Sequence, residues 1–229
     1  MHERVGLPYP RAPFYFALVL LTAILGFYPT YFSRLGQTDA VHHFHGVMAS
    51  LWMLMLIGQS ALVRTRRIAL HRVIGRSSLL VVPLFLVSGV LVVHTMLAST
   101  EPFNRTYGAR LAFIDLTTMI YFAAAYALAI AYRRQVQLHA RLMASTAILV
   151  LPPALARALL FFGPGIHGFD AAFHGAYLIC DLVVMALLVD DARRVKIRAP
   201  YAVLLVFTVF QQVGFLVLPQ LSWWEPLLR

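Results

Sequence analysis

The residues of this 229-residue chain that could do chemistry are nine histidines, one cysteine and a few charged residues set inside apolar runs. His71 closes the stretch Arg66-Arg67-Ile68-Ala69-Leu70-His71. His139 closes Arg134-Gln135-Val136-Gln137-Leu138-His139, and a small hydroxyl pair follows each histidine at the same distance. A b-type haem in a helix bundle takes an axial histidine from each of two helices, with basic groups near its propionates. His71 and His139 meet that requirement, with Arg72, Arg134 and Arg141 as propionate partners. His45 with His94 or His174 would hold a second haem, although 23 residues between His71 and His94 put them roughly 34 Å apart on one helix. A second chemistry is a zinc or iron site built from His42, His45, Asp170 and His174, with Asp115 as the base of a membrane hydrolase. No HExxH pattern accompanies it. A third is a proton-coupled transporter in which Asp115, Arg157 and Asp181 form the relay. Gly163, Pro164, Gly165 and Gly168 allow a broken segment beside it. The plain structural alternative is an ion pair, Arg157 with Asp115 or Asp181, that locks the bundle; an unpaired intramembrane arginine is costly, so one such partner is expected. Lys196 is the only lysine and lies outside the apolar runs, which removes a retinal Schiff base. The lone Cys180 removes internal disulfides and multi-cysteine metal sites.

The elements that must position these residues are helices in a membrane. Hydrophobic residues make up 61% of the chain and charged residues 12%, too little polar surface for a soluble domain. Seven apolar runs approach the ~20 residues of a transmembrane helix: Phe14 to Phe32, Val41 to Val63, Gly75 to Leu97, Ala109 to Tyr132, His139 to Phe162, Asp170 to Val189 and Pro200 to Leu218. The formal charge of +10 follows their alternation rather than marking a nucleic-acid surface. Arg4, Arg11, Arg64, Arg66, Arg67, Arg72, Arg76, Arg133, Arg134, Arg141, Arg193, Arg194, Lys196 and Arg198 fall on one side. Only Arg34, Arg105, Arg110 and Arg229 fall on the other. The positive-inside rule then places the N-terminus in the cytoplasm and the C-terminus outside. The longest outer connection is expected at Ala98 to Tyr107. The offset of 68 residues between the two Arg…Leu-His turns predicts a parallel duplication of spans two–three and four–five.

Several pieces, in order, give the chain a family likeness. Gly26-Phe27-Tyr28-Pro29-Thr30-Tyr31-Phe32, His43-Phe44-His45-Gly46, Gln59, Leu70-His71-Arg72-Val73-Ile74-Gly75, His139-Ala140-Arg141-Leu142-Met143, Arg157 and Asp190 cover most of it. The set resembles a group of uncharacterised bacterial multi-pass membrane proteins, classed as domains of unknown function. That resemblance implies one continuous bundle in the bacterial inner membrane and no particular activity. The histidines at ends of neighbouring helices are also similar to those of ascorbate-reducible cytochromes b; span four has no histidine, so only the His71–His139 pair carries over. The expectation is an all-α, single-domain integral membrane protein over residues 1–229, with the lipid bilayer as its partner. The leading expected role is haem-linked redox chemistry with a redox partner or quinone. A zinc- or iron-dependent hydrolase and a cofactor-free transporter or structural protein are the alternatives.

Overall fold

The computed structural model describes residues 9–194, 198–221, 223 and 224, and the side chain of Arg194 is not described. Arg4, Lys196 and Arg229 of the charge asymmetry lie outside these residues. The described chain is helical throughout, with no strand: α1 (Ala12–Phe27), α2 (Ala40–Arg64), α3 (Ile68–Gly75), α4 (Ser78–Ala98), α5 (Pro102–Ala131), α6 (Val136–Ile148), α7 (Leu151–Phe162), α8 (Phe169–Arg194) and α9 (Ala199–Val217). Six stretches are long and apolar enough to cross a membrane: α2, α4, α5, α6 with α7, α8 and α9. The chain is therefore a multi-pass α-helical membrane protein.

Local chemistry sets the helix ends. Asp39 caps α2 by accepting the His42 backbone N–H at 3.0 Å. Prolines open α1, α5, α7 and α9, where a missing N–H removes no helical bond. After α7, Gly165 and Gly168 take φ of +72° and +87°, which turns the chain into α8. The expected outer loop at Ala98 to Tyr107 is mostly helix instead. Pro102 starts α5 seven residues before the apolar run, because a proline at the first helical turn and the following polar residues suit a helix projecting past the hydrocarbon.

The fifth apolar run is two helices. Pro152 and Pro153 lack the N–H groups that Ile148 and Leu149 carbonyls would accept, so α6 ends and α7 begins across Leu149 and Val150. This broken helix is the centre of the bundle: α1, α2, α5, α8 and α9 all pack against one or both of its halves. Half of its apolar window is buried, against 17–33% for the other five, so its side chains face protein where the others face lipid. Gly26 sits against the Ala154 backbone so closely that α1 and α7 touch main chain to main chain.

Candidate functional site

Arg157 and Asp115 meet inside this bundle. Arg157 projects from the second turn of α7, with Nη1 donating to the Pro153 carbonyl at 3.0 Å and the guanidinium 4.5 Å above the Phe27 ring of α1. Asp115 reaches inward from the middle of α5. Each feels the other's charge, yet no N–O contact within 4.0 Å joins them, and no hydrogen bond to the Asp115 carboxylate occurs among the described residues. Both are deep among protein atoms and both are only half-buried by surface. Arg157 and Asp115 thus act on each other by charge without a direct ion-pair contact. Asp181 is not the alternative partner, because its oxygens accept from Thr208 Oγ1 at 2.6 Å and Gln212 Nε2 at 2.8 Å.

A neutral hydrogen-bond network flanks Asp115 along α5. Tyr177 donates to Gln211 Oε1 at 3.0 Å. Gln211 Nε2 spans to α5, with Thr118 Oγ1 at 2.8 Å, Ile114 O at 3.0 Å and Thr117 Oγ1 at 3.1 Å. These bonds tie α5, α8 and α9 together on either side of Asp115. Gln211 and Gln212 escaped the reading of the sequence, although two adjacent amides inside an apolar run were a visible signal.

The outer histidines disperse. His42 Nδ1 lies 2.7 Å from Asp39, and His43 bridges Tyr31 and the Leu35 carbonyl. His45 Nδ1 is 3.0 Å from Ser88 Oγ, whose own proton goes to Phe85 O. His45 is therefore the Nδ1–H form, donating to Ser88 and stacked on Phe85. His94 is exposed, one and a half turns further along α4. Asp170 accepts from Arg110 and Tyr107, each at 3.3 Å, and His174 Nε2 is buried beside Phe215 with no partner. Among the described residues no three His, Cys, Asp or Glu side chains form a group that could hold a metal, so His42, His45, Asp170 and His174 are not brought together.

The inner face holds two further clusters. Arg141 of α6 clamps Asp191 of α8, with Nε 2.8 Å from Oδ2 and Nη2 2.5 Å from Oδ1. Its Nη1 donates to Gln137 O and Oε1, and Tyr9 covers the guanidinium at 5.3 Å. Arg141 is thereby committed and does not serve a propionate. Asp191 was missed because the Asp190-Asp191 pair ends an apolar run, where acids are ordinarily solvated. The second holds His71 and His139 near one another, each with its own hydrogen-bond partner. His139 Nδ1 donates to the Ala129 carbonyl at 2.8 Å, which leaves Nε2 with its lone pair. With the Gln59 amide turned so that its nitrogen faces the His71 carbonyl, that nitrogen lies 3.0 Å from His71 O and 2.5 Å from His71 Nδ1, and its oxygen accepts the Gly75 N–H at 3.2 Å. His71 Nδ1 is therefore an acceptor and its Nε2 carries the proton. Burial holds the His71 imidazole below its ordinary pKa; a hydrogen bond to the Gln59 backbone opposes the shift, and the nearby charges of His139 and Arg72 reinforce it. Neither family models, curated proteins nor solved structures show a match to this chain.

Proposed function

We propose that the protein is a seven-span, proton-coupled carrier of a small polar solute in the bacterial inner membrane, with its N-terminus in the cytoplasm. The observation that carries this reading is an acid and a base, Asp115 and Arg157, that act on each other by charge without a direct contact beside a broken central helix. Charges inside a membrane bundle mark ion or substrate paths. Substrate sites of carriers lie near the midplane at interrupted helices, whose halves can move separately. Arg157 sits just beyond such an interruption and Asp115 faces it from α5. The test uses proteoliposomes with a trapped pH indicator, challenged with a panel of amino acids, sugars and carboxylates. Solute-dependent proton movement that disappears in Arg157→Gln supports the reading. No solute-dependent movement with any class in the panel overturns it.

A second reading keeps the haem. It is favoured by the proximity of His71 to His139 and by the His139 Nδ1–H bond to a backbone carbonyl, the usual orienting contact of a ligating imidazole. His139 fits as an axial ligand. His71 does not fit as it stands, because Gln59 holds its proton on Nε2, where a ligand needs a lone pair. Protein purified in mild detergent decides the matter: a Soret band lost in His139→Ala supports haem, and a colourless preparation without extractable haem excludes it.

A further inference from the structure

Arg157 offers one unused edge. Its Nη1 is taken by Pro153 O and one face is covered by Phe27, while Nε and Nη2 have no partner among the described residues. Two parallel N–H groups in one plane match the two oxygens of a carboxylate, which is why guanidinium groups bind carboxylates bidentately. The site also has a charge limit. Arg157 is one positive charge, and Arg110, nearer the outer surface, is bound to Asp170. A dianion would bring more negative charge than this site compensates.

Resting on the carrier reading, we infer that the solute is a small monocarboxylate that replaces Asp115 as the counter-ion of Arg157, with Asp115 taking up one proton as it binds. The reasoning is charge balance in a low-dielectric interior. Asp115 and Arg157 offset each other's charge when no solute is bound. An arriving carboxylate sits on the guanidinium and leaves the Asp115 carboxylate uncompensated. A proton from water restores neutrality, and solute plus proton move together as a neutral pair. The neighbours leave Asp115 as the group that responds. Arg157 comes from α7. Tyr177, Cys180 and Asp181 come from α8, where Asp181 is already held by Thr208 and Gln212. From α9 the site meets the neutral Gln211. Of the other helices against α5, α4 has only His94 at its exposed outer end, and α6 has His139 and Arg141 in their own inner-face bonds.

The test counts protons on binding. Acetate and pyruvate are each titrated into purified, weakly buffered full-length protein in detergent, with bound radiolabel and pH read together. The expected result is saturable binding with about one proton taken up per anion. Arg157→Gln weakens binding at least about tenfold, the loss of one charge-assisted fork. Asp115→Asn binds without proton uptake. Arg157→Lys, which keeps the charge and loses the fork, separates recognition from folding: it retains part of the affinity and a wild-type thermal transition. Binding of either anion with no proton uptake in the wild type overturns the inference. No binding of either anion overturns it too; solute-driven proton movement with a sugar or amino acid in proteoliposomes then leaves the carrier reading standing, whereas none with any class removes both.

Discussion

At the scale of single residues, the bundle separates charges that hold it from charges that remain open. Arg141 and Asp191 are the holding pair, with side chains 7% and 0% exposed. Removing one partner leaves the other buried without compensation, which costs about 3–5 kcal/mol. Asp191→Asn and Arg141→Met are each expected to lower the thermal transition of the detergent-solubilised protein by that equivalent. The double variant Arg141→Met with Asp191→Leu is expected to recover most of it, since an apolar pair of similar volume needs no desolvation. A double variant as unstable as the singles would show that packing, not charge, is at stake. His71 makes the pH prediction. Its folded-state pKa is lowered, chiefly by burial, so the unfolded chain binds more protons in the window below the ordinary value of about 6.5. Stability is full above that value and is lost as pH falls through the window toward the folded pKa. Asp39, whose carboxyl is lowered first by the His42 backbone N–H, adds a second loss below the ordinary carboxylate range of about 4. A melt series against pH checks this: the decline near pH 6 should flatten in His71→Gln. These residues differ in how far the sequence exposes them. His71 and His139 stand out by their shared surroundings. The Arg141–Asp191 pair does not, because the two residues are 50 positions apart and each reads as an ordinary interfacial charge.

At the scale of elements, the apolar runs were legible and their interruptions were not. A run reports lipid-facing composition, and α2, α4, α8 and α9 follow the runs closely except that α8 runs past its acidic end. Pro152-Pro153 could have kinked the fifth run or cut it. Cutting wins because neighbouring helices on nearly every side can hold two half-helices in place. The two Arg…Leu-His turns also differ after a shared start. His71 is the fourth residue of α3 and His139 the fourth residue of α6, so both turns launch a helix at the equivalent position. The two stretches then part at Gly75, where α3 stops, while Met143 at the corresponding place lets α6 continue. A glycine weakens a helix interior by about 1 kcal/mol relative to alanine, enough to favour a stop at the membrane surface. The tightest element contact predicts its own failure. A Cβ on Gly26 meets the Ala154 carbonyl, backbone that cannot swing aside. Gly26→Ala is expected to destabilise by about 1–3 kcal/mol, the usual cost of overpacking. Gly58, with nothing near its missing Cβ, is the control. Equal melts for Gly26→Ala and Gly58→Ala would show that α1 does not press on α7 as described.

At the scale of the whole molecule, the open question is whether α1 crosses the bilayer. Its 16 residues make roughly 24 Å, short of the ~30 Å hydrocarbon layer. Two contacts fix its course against the central helix. Just before α1, Tyr9 lies on Arg141 at the inner end of α6, and at its other end Phe27 lies under Arg157 in α7. The helix α1 therefore runs parallel to the fifth apolar run over most of that run's length. From Tyr28 the chain continues through a 3-10 turn, Phe32–Gln37, toward the start of α2, where Tyr31 meets His43. The turn itself is largely exposed, with Ser33 to Gln37 uncovered, so a crossing by α1 depends on the helix and its contacts with α7. Parallel first and fifth segments require an even number of crossings between their starts, which suits seven spans. The charge asymmetry points the same way, and does so with one fewer vote than composition suggests, because Arg141 is buried in an ion pair rather than free at the surface. Under this topology a fluorescent protein fused to the N-terminus glows in the cytoplasm. Alkaline phosphatase is active when fused after Gly165 or Gln220, and inactive after Arg134. An α1 that only lies against the bundle instead leaves both termini on the outer side. The N-terminal fusion is then dark while the three phosphatase readings stay the same, so that single fusion separates six crossings from seven.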